Sequence, residues 1–215
     1  IYKKIITDSS WRLARSKMGY KDINKHLMYN FAGKPYIDTR LSFNSMIPKG
    51  INKNFTKKLI LSWSKLLIKK PYLHDKIEFE IVDGSYDASF LQKVKKKYNF
   101  FSSKEKKQYI DVIKEFTKNQ IINSEKNFIS LDKKLRELEE ERIKFVKVYL
   151  HNKNSLNKKN ILNFISKLKN LGTIPFSIYA RHAFIAKNFF NSLVNENLIS
   201  NKTYSKLLNS IGTMT

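Results

Sequence analysis

The sequence predicts an α+β fold, with a small antiparallel sheet in the N-terminal part and a mostly helical C-terminal half. Three observations carry this. Residues 35–45 alternate as an extended chain would, with Tyr36, Asp38, Arg40, Ser42 and Asn44 on one face and Ile37, Thr39, Leu41 and Phe43 on the other. Residues 76–82 repeat the pattern, with Lys76, Glu78 and Glu80 opposite Ile77, Phe79 and Ile81. From about residue 100 the apolar spacing changes from two to three and four, the period of an amphipathic helix. Residues 1–100 thus read as a mixed α/β part and 101–215 as a helical part.

Taken in order, Thr7, Asp8, Ser9 and Ser10 offer N-cap oxygens to a short helix from Trp11 to Arg15, which Gly19 and Tyr20 end. The strand of residues 35–45 follows, and Pro48 and Gly50 mark a turn. Phe55, Leu59, Ile60, Trp63, Leu66 and Leu67 share one side of a helix over 53–70, which Pro71 stops. The second strand covers 76–82, and Asp83 with Gly84 forms a turn. Ser102 and Glu105 make a capping box ahead of a helix carrying Tyr109, Ile113 and Phe116. Leu131, Leu135, Leu138, Phe145 and Tyr149 line a long amphipathic helix, one arm of a helical hairpin, with the charged string from Arg136 to Arg142 on its wet face. Asn152 to Asn154 break the chain, and a third helix covers about 155–170. Gly172 breaks it again, Pro175 suits a first helical turn, and helices over about 175–195 and 200–211 finish it.

The chain has 42 Lys and Arg against 18 Asp and Glu, a net charge of +24. Polyanions reward clustered cations. Yet only six of these residues are Arg, the favoured side chain for reading bases, and no recognition motif accompanies the charge. Compositional drift toward Lys, Asn and Ile is therefore the favoured reading, and nucleic acid the less favoured partner. There is no cysteine, so no disulfide or thiolate metal site forms. No apolar run reaches the roughly 18 residues of a membrane span. A cytoplasmic protein with no membrane partner is expected. The abrupt ends, Ile1 and Thr215, read as those of a piece of a longer protein.

No nucleotide-binding glycine loop, zinc-protease motif or serine-nucleophile elbow is present. The four histidines, His26, His74, His151 and His182, lack metal-ligand spacing, so no metal site is expected. Three clusters remain. On the polar face of 35–45, Arg40 suits a carboxylate, Asp38 an ammonium, and Ser42 with Asn44 an amide; Tyr36 lies beside them. The same face also fits a solvated sheet with cross-strand pairs such as Arg40 opposite Glu78. His74, Lys76 and Glu78 lie in a run of ionisable residues that suits charge neutralisation or proton transfer near a phosphoryl group, or a plain polar turn. A helix starting near Gly172-Thr173-Ile174-Pro175-Phe176 would aim free N–H groups at an anion, with Ser177, Arg181 and Asn188 near one face; the bland reading is a capped helix with Arg181 in a salt bridge.

These clusters carry a family resemblance. The strings ITDSSW (6–11), GKPYIDTRLSFNS (33–45), LHDKIEFE (73–80) and GTIPF (172–176), with Ala180 and Arg181, resemble the central region of bacterial enzymes similar to phosphoenolpyruvate synthase and pyruvate phosphate dikinase. Within that group the chain resembles L-glutamine kinases of capsular phosphoramidate pathways. The resemblance implies a multidomain, cytoplasmic, ATP-dependent phosphotransferase of capsule polysaccharide biosynthesis. An ATP-grasp domain would bind ATP and Mg²⁺, a mobile domain would carry a phosphohistidine, and this chain would be the central domain that presents the acceptor. Residues 1–100 would form the acceptor-binding part. The acceptor would be L-glutamine, phosphorylated on its amide nitrogen with release of AMP and phosphate. None of the four histidines sits in the family's Thr-Ser-His context and the nucleotide-binding strings are missing, so the segment alone would be inactive. The substrate-binding residues expected are Tyr36, Asp38, Arg40, Ser42, Asn44 and Arg181, and the catalytic candidates are His74, Lys76 and Glu78. Pyruvate or another small acceptor, a basic helical nucleic-acid-binding module and a docking scaffold are the competing readings.

Overall fold

In the computed structural model, which describes residues 3–150 and 157–210, helices dominate and one two-stranded antiparallel sheet stands near the N-terminus. The fold is α+β. The chain forms two compact units, each drawing on both halves of the sequence: Ile1–Lys49 with Asn119–His182, and Gly50–Lys118 with Ala183–Thr215. No described helix is long and apolar enough to cross a membrane.

The first unit opens with a π-helical segment, Lys3–Trp11, that runs into α1, Arg12–Lys17. The polar residues ahead of α1 do not cap it. Thr7 and Ser10 donate their hydroxyl protons to the carbonyls of Lys3 and Ile5, at 3.1 and 2.6 Å. Asp8 instead accepts the Leu27 N–H at 2.8 Å and faces His26 Nδ1 at 2.7 Å, tying down the chain that enters the sheet. Gly19, with φ of 94°, ends the helical stretch as expected.

The sheet is a hairpin of β1, Met28–Phe31, and β2, Lys34–Ile37, around a two-residue turn in which Ala32 and Gly33 both have positive φ. Residues 35–45 are thus not one strand. Extended chain stops at Ile37, and α2, Thr39–Asn44, follows. Asp38 causes the switch: its side chain accepts the Leu41 N–H at 3.0 Å and its carbonyl accepts that of Ser42 at 2.9 Å. The helical path puts Phe43 on α2, and Met46 and Ile47 in the turn after it, fully into the core.

The rest of this unit is helical. Helix α5, Ser103–Ile122, contributes its last residues, and Gln120 donates to the Met18 carbonyl at 2.8 Å. Helix α6, Ser124–Phe145, continues as a π-helical turn to Leu150, and α7 is Lys158–Leu168 with Asn157 as N-cap. Phe145 stacks on Phe164 with centroids 4.3 Å apart, and Lys167 pairs with Glu141, so α6 and α7 form the hairpin that the apolar spacing predicts. Residues from Arg136 to Arg142 are largely exposed, with Arg142 on Glu139 at 2.6 Å. The expected break at Asn152 to Asn154 and His151 lie outside the described residues. Gly172 does not break the chain. It lies in a π-helical turn, Lys169–Thr173, that leads directly into α8, Ile174–Asn195. A Cβ on Gly172 would meet Leu138 Cδ2 at 2.7 Å, so its role is close packing against α6.

In the second unit, α3, Lys53–Lys69, starts at the Asn52 cap, 2.8 Å from the Phe55 N–H, and stops before Pro71. Phe55, Leu59 and Trp63 are buried; Ile60, Leu66 and Leu67 are half-buried. The second predicted strand is a π-helical turn, Ile77–Ile81. Extended backbone needs a neighbour for its N–H and C=O groups. Among the described residues no strand pairs with this segment, and local bonds such as Val82 N–H to the Ile77 carbonyl, 2.8 Å, take over. Helix α4 is Phe90–Lys97. Helix α5 begins with the predicted capping box: Glu105 N–H donates to Ser102 Oγ at 3.2 Å, and Ser102 N–H to Glu105 Oε2 at 2.9 Å. The remainder of α8 and α9, Asn201–Ser210, complete the unit.

Candidate functional site

The second unit holds a cleft of about 440 Å³, within the range of small-molecule sites. The π-helical turn supplies Phe79 and Glu80, the bend after it Asp83, Gly84, Ser85 and Asp87, helix α4 Phe90, Lys93, Lys96 and Lys97, and α8 Asn188. Its floor is built on an aromatic core. Tyr98 stacks on Phe101 with centroids 4.9 Å apart, and Phe55 meets both Phe101 and Tyr109 edge-on.

Two nearly buried carboxylates anchor the floor. Asp83 takes the hydroxyl of Tyr109 at 2.9 Å and that of Tyr98 on Oδ2, and the Lys97 ammonium at 2.9 Å on Oδ1. Trp63 Nε1 donates to Tyr98 Oη at 2.8 Å. Burial first, then the Asp83 charge, pushes both phenols well above their ordinary range, so they remain proton donors. Asp87 accepts Ser89 N–H and O–H at 3.1 and 3.0 Å and pairs with Lys93 at 2.9 Å. Both carboxylates are therefore saturated and fixed.

Three groups in the cleft are differently placed. Glu80 and Lys96 are exposed and make no ion pair among the described residues. Asn188 Nδ2 donates to Ser85 Oγ at 3.2 Å, leaving the Asn188 carbonyl and the Ser85 proton for a ligand. Gly84 makes room for this pair: a Cβ there would sit 3.2 Å from Asn188 Nδ2.

The residues singled out in the sequence are distributed otherwise. Tyr36 is exposed on β2, Asp38 is spent on capping α2, and Ser42 is buried. Arg40 and Asn44, four residues apart on α2, lie on one side of that helix. Asn44 Oδ1 is buried without a hydrogen-bond partner. These five residues do not form a shared strand face. Arg181 lies over the Tyr20 ring, 5.2 Å from its centroid. The Ile174 N–H is already taken by the Lys169 carbonyl and Ser177 Oγ donates to Thr173, so α8 opens from a helical turn rather than with a free anion site. His74, with Nδ1 3.2 Å from the Pro71 carbonyl, and Lys76 are exposed, Glu78 is half-buried, and none of the three lines the cleft. Glu80, two residues beyond Glu78, does.

The sequence reading missed Asp83, Ser85, Asp87, Lys93, Lys96 and Lys97. Their only signal was a polar stretch followed by a lysine-rich helix, indistinguishable from solvated surface. Among the described residues no group of three or more His, Asp or Glu is placed to hold a metal ion. No protein-family model, curated protein or solved structure matches the chain.

Proposed function

We propose that the chain is the acceptor-binding part of an ATP-dependent phosphotransferase, with L-glutamine held in the cleft of the second unit. One observation carries this reading: the cleft combines an unpaired carboxylate, an unpaired ammonium and an amide–hydroxyl pair. Lys96 faces the ligand's carboxylate, Glu80 its ammonium, and Asn188 with Ser85 its side-chain amide. The saturated Asp83–Lys97 and Asp87–Lys93 pairs add no net charge and hold the walls in place. The segment that carries much of the family resemblance, residues 73–80, supplies Phe79 and Glu80 to the wall.

The acceptor nitrogen of an amide is a poor nucleophile because resonance withdraws its lone pair. What this chain contributes is orientation and exclusion of water from that nitrogen. ATP and Mg²⁺ belong to neighbouring domains in this scheme, which supply the phosphoryl group.

The reading is tested by saturation-transfer NMR of L-glutamine on the 215-residue chain, with L-glutamate and pyruvate as comparators. Glutamine binding that Lys96→Glu and Glu80→Lys each abolish is expected. Preferential binding of pyruvate reassigns the acceptor, and no binding of any of the three removes the cleft from the reaction. In the longer protein, phosphorus NMR with ATP, Mg²⁺ and L-glutamine should then show a phosphoramidate signal together with AMP and phosphate.

A further inference from the structure

The β1–β2 hairpin exposes a face that the cleft reading leaves unused. In its antiparallel register Tyr29 stands opposite Tyr36, and Phe31 opposite Lys34. Directly opposed residues share a face, and residues two apart share it too. One side of the hairpin therefore carries three aromatic rings and a lysine. All three rings are solvent-accessible, at 39% for Tyr29, 61% for Phe31 and 51% for Tyr36. They touch one another: Phe31 meets Tyr36 edge-on at 5.5 Å and stacks beside Tyr29 at 6.5 Å. The Lys3 ammonium lies 5.5 Å from the Tyr29 ring centre. A clustered apolar face left in water marks an interaction surface.

The charge of the segment that carries this face points to its partner. The first 49 residues contain ten Lys and Arg against three Asp and no Glu. All three carboxylates are engaged: Asp8 with the Leu27 N–H and His26, Asp22 with Arg12 at 3.4 Å, and Asp38 with the Leu41 N–H. The rings thus belong to a segment in which cations outnumber carboxylates, with Lys34 on their own face. Planar rings on a basic surface complement a ligand with planar groups on a polyanionic backbone. A single-stranded polynucleotide brings a flat base with every phosphate, so ring contact and charge contact recur together along it.

We propose that this face of the hairpin is a stacking platform for single-stranded nucleic acid, with Phe31 and Tyr36 stacking on bases and Lys34 meeting phosphates. The hairpin belongs wholly to the first unit and the cleft to the second, so neither inference depends on the other. The composition alone favoured compositional drift over nucleic-acid binding; the register of the hairpin reverses that preference for this surface.

The test is fluorescence anisotropy of the 215-residue chain with fluorescein-labelled fifteen-residue oligo-dT and oligo-U, at low and at physiological salt. Binding is expected, with log K falling linearly as log salt rises. Phe31→Ala and Tyr36→Ala should each weaken it about tenfold. Lys34→Glu should weaken it and flatten the salt dependence. A duplex of equal length, whose bases are already stacked, should bind less tightly than the single strand. Because the substituted rings are exposed, circular dichroism should be unchanged; if either ring variant fails to fold, Lys34→Glu with the duplex comparison decides the question. Undiminished binding by folded ring variants overturns the platform in favour of charge alone. Absence of binding at low salt overturns it outright. Binding of poly-glutamate that is lost in the same ring variants overturns it in favour of an acidic protein partner.

Discussion

Replacing Tyr109 by Phe isolates the bond that holds the floor of the cleft. The Tyr109 hydroxyl donates to Asp83 Oδ2 at 2.9 Å, with Tyr109 1% and the Asp83 side chain 8% exposed, so no water can substitute for it. The ring stays, so almost no cavity forms. Hydrogen bonds to charged groups contribute about 1.5–3 kcal/mol, which places the loss near 2 kcal/mol. With an m-value of about 2 kcal/mol/M, the urea midpoint should fall by about 1 M at unchanged slope. Asp83→Ala should cost more, about 3–5 kcal/mol, because it strands two phenols and the Lys97 ammonium. In that background Tyr109→Phe should cost much less, since only the Tyr98 hydroxyl is left beside its own. Urea unfolding followed by tryptophan fluorescence measures all four corners of the cycle. A Tyr109→Phe variant within about 0.5 kcal/mol of the parent, or one equally destabilising with and without Asp83, refutes the reasoning.

The remaining predictions concern other parts of the chain. Both buried phenols have their pKa raised above the ordinary 10.0, so the folded state holds protons the unfolded chain releases; stability should be intact below pH 10 and fall as pH rises beyond it, seen as a late rise in tyrosinate absorbance, after that of exposed tyrosines such as Tyr36 and Tyr72, that coincides with unfolding. His182, edge-on to Phe128 at 5.0 Å, has its pKa lowered by burial. Its contribution is complete above the ordinary 6.5 and is lost as pH falls below it, and His182→Gln should flatten that acid limb in thermal unfolding. Ser102→Ala breaks the capping box and should lower stability by about 1 kcal/mol in urea unfolding. Gly172→Ala places a methyl against the end of the Leu138 side chain, which must rotate away; a loss of about 1 kcal/mol is expected in the same assay. Gly84→Ala crowds Asn188 and should weaken L-glutamine binding in the NMR assay while leaving the urea midpoint in place.

Much of the helical architecture was legible because it depends on local physics. The capping box at Ser102 and Glu105, the Asn52-to-Pro71 helix and the apolar stripe from Leu131 to Tyr149 each state their period and their ends within one segment. The sheet was legible in kind but not in place. Met28 to Phe31 shows little alternation and its turn is Ala32-Gly33, which lacks the usual Asn-Gly or Asp-Gly signal. The alternation that did attract a strand reading, over 35–45, is shared between a short strand and a helix because one Asp38 side chain redirects the backbone. The segment 76–82 alternates as well, yet a strand exists only where a second strand accepts its hydrogen bonds, and that partner is a tertiary fact.

The candidate sites divide along the same line. Residue types sufficient for a zwitterion are visible in the sequence, and so is the excess of lysine. Which of them converge is decided by folding. Asp83 becomes a fixed floor group only because Tyr98, Tyr109 and Lys97 reach it from further along the chain, whereas Asp87 is held by its near neighbours Ser89 and Lys93. Glu80 and Lys96 remain available because nothing folds against them. Sequence alone determined the composition, the helical periods, the Ser102–Glu105 capping box and the stop before Pro71, since those act over a few residues. The tertiary structure decided the hairpin register, the pairing of distant charges and the cleft, since each needs groups brought together across tens of residues, from Trp63 to Tyr98 and from Ser85 to Asn188.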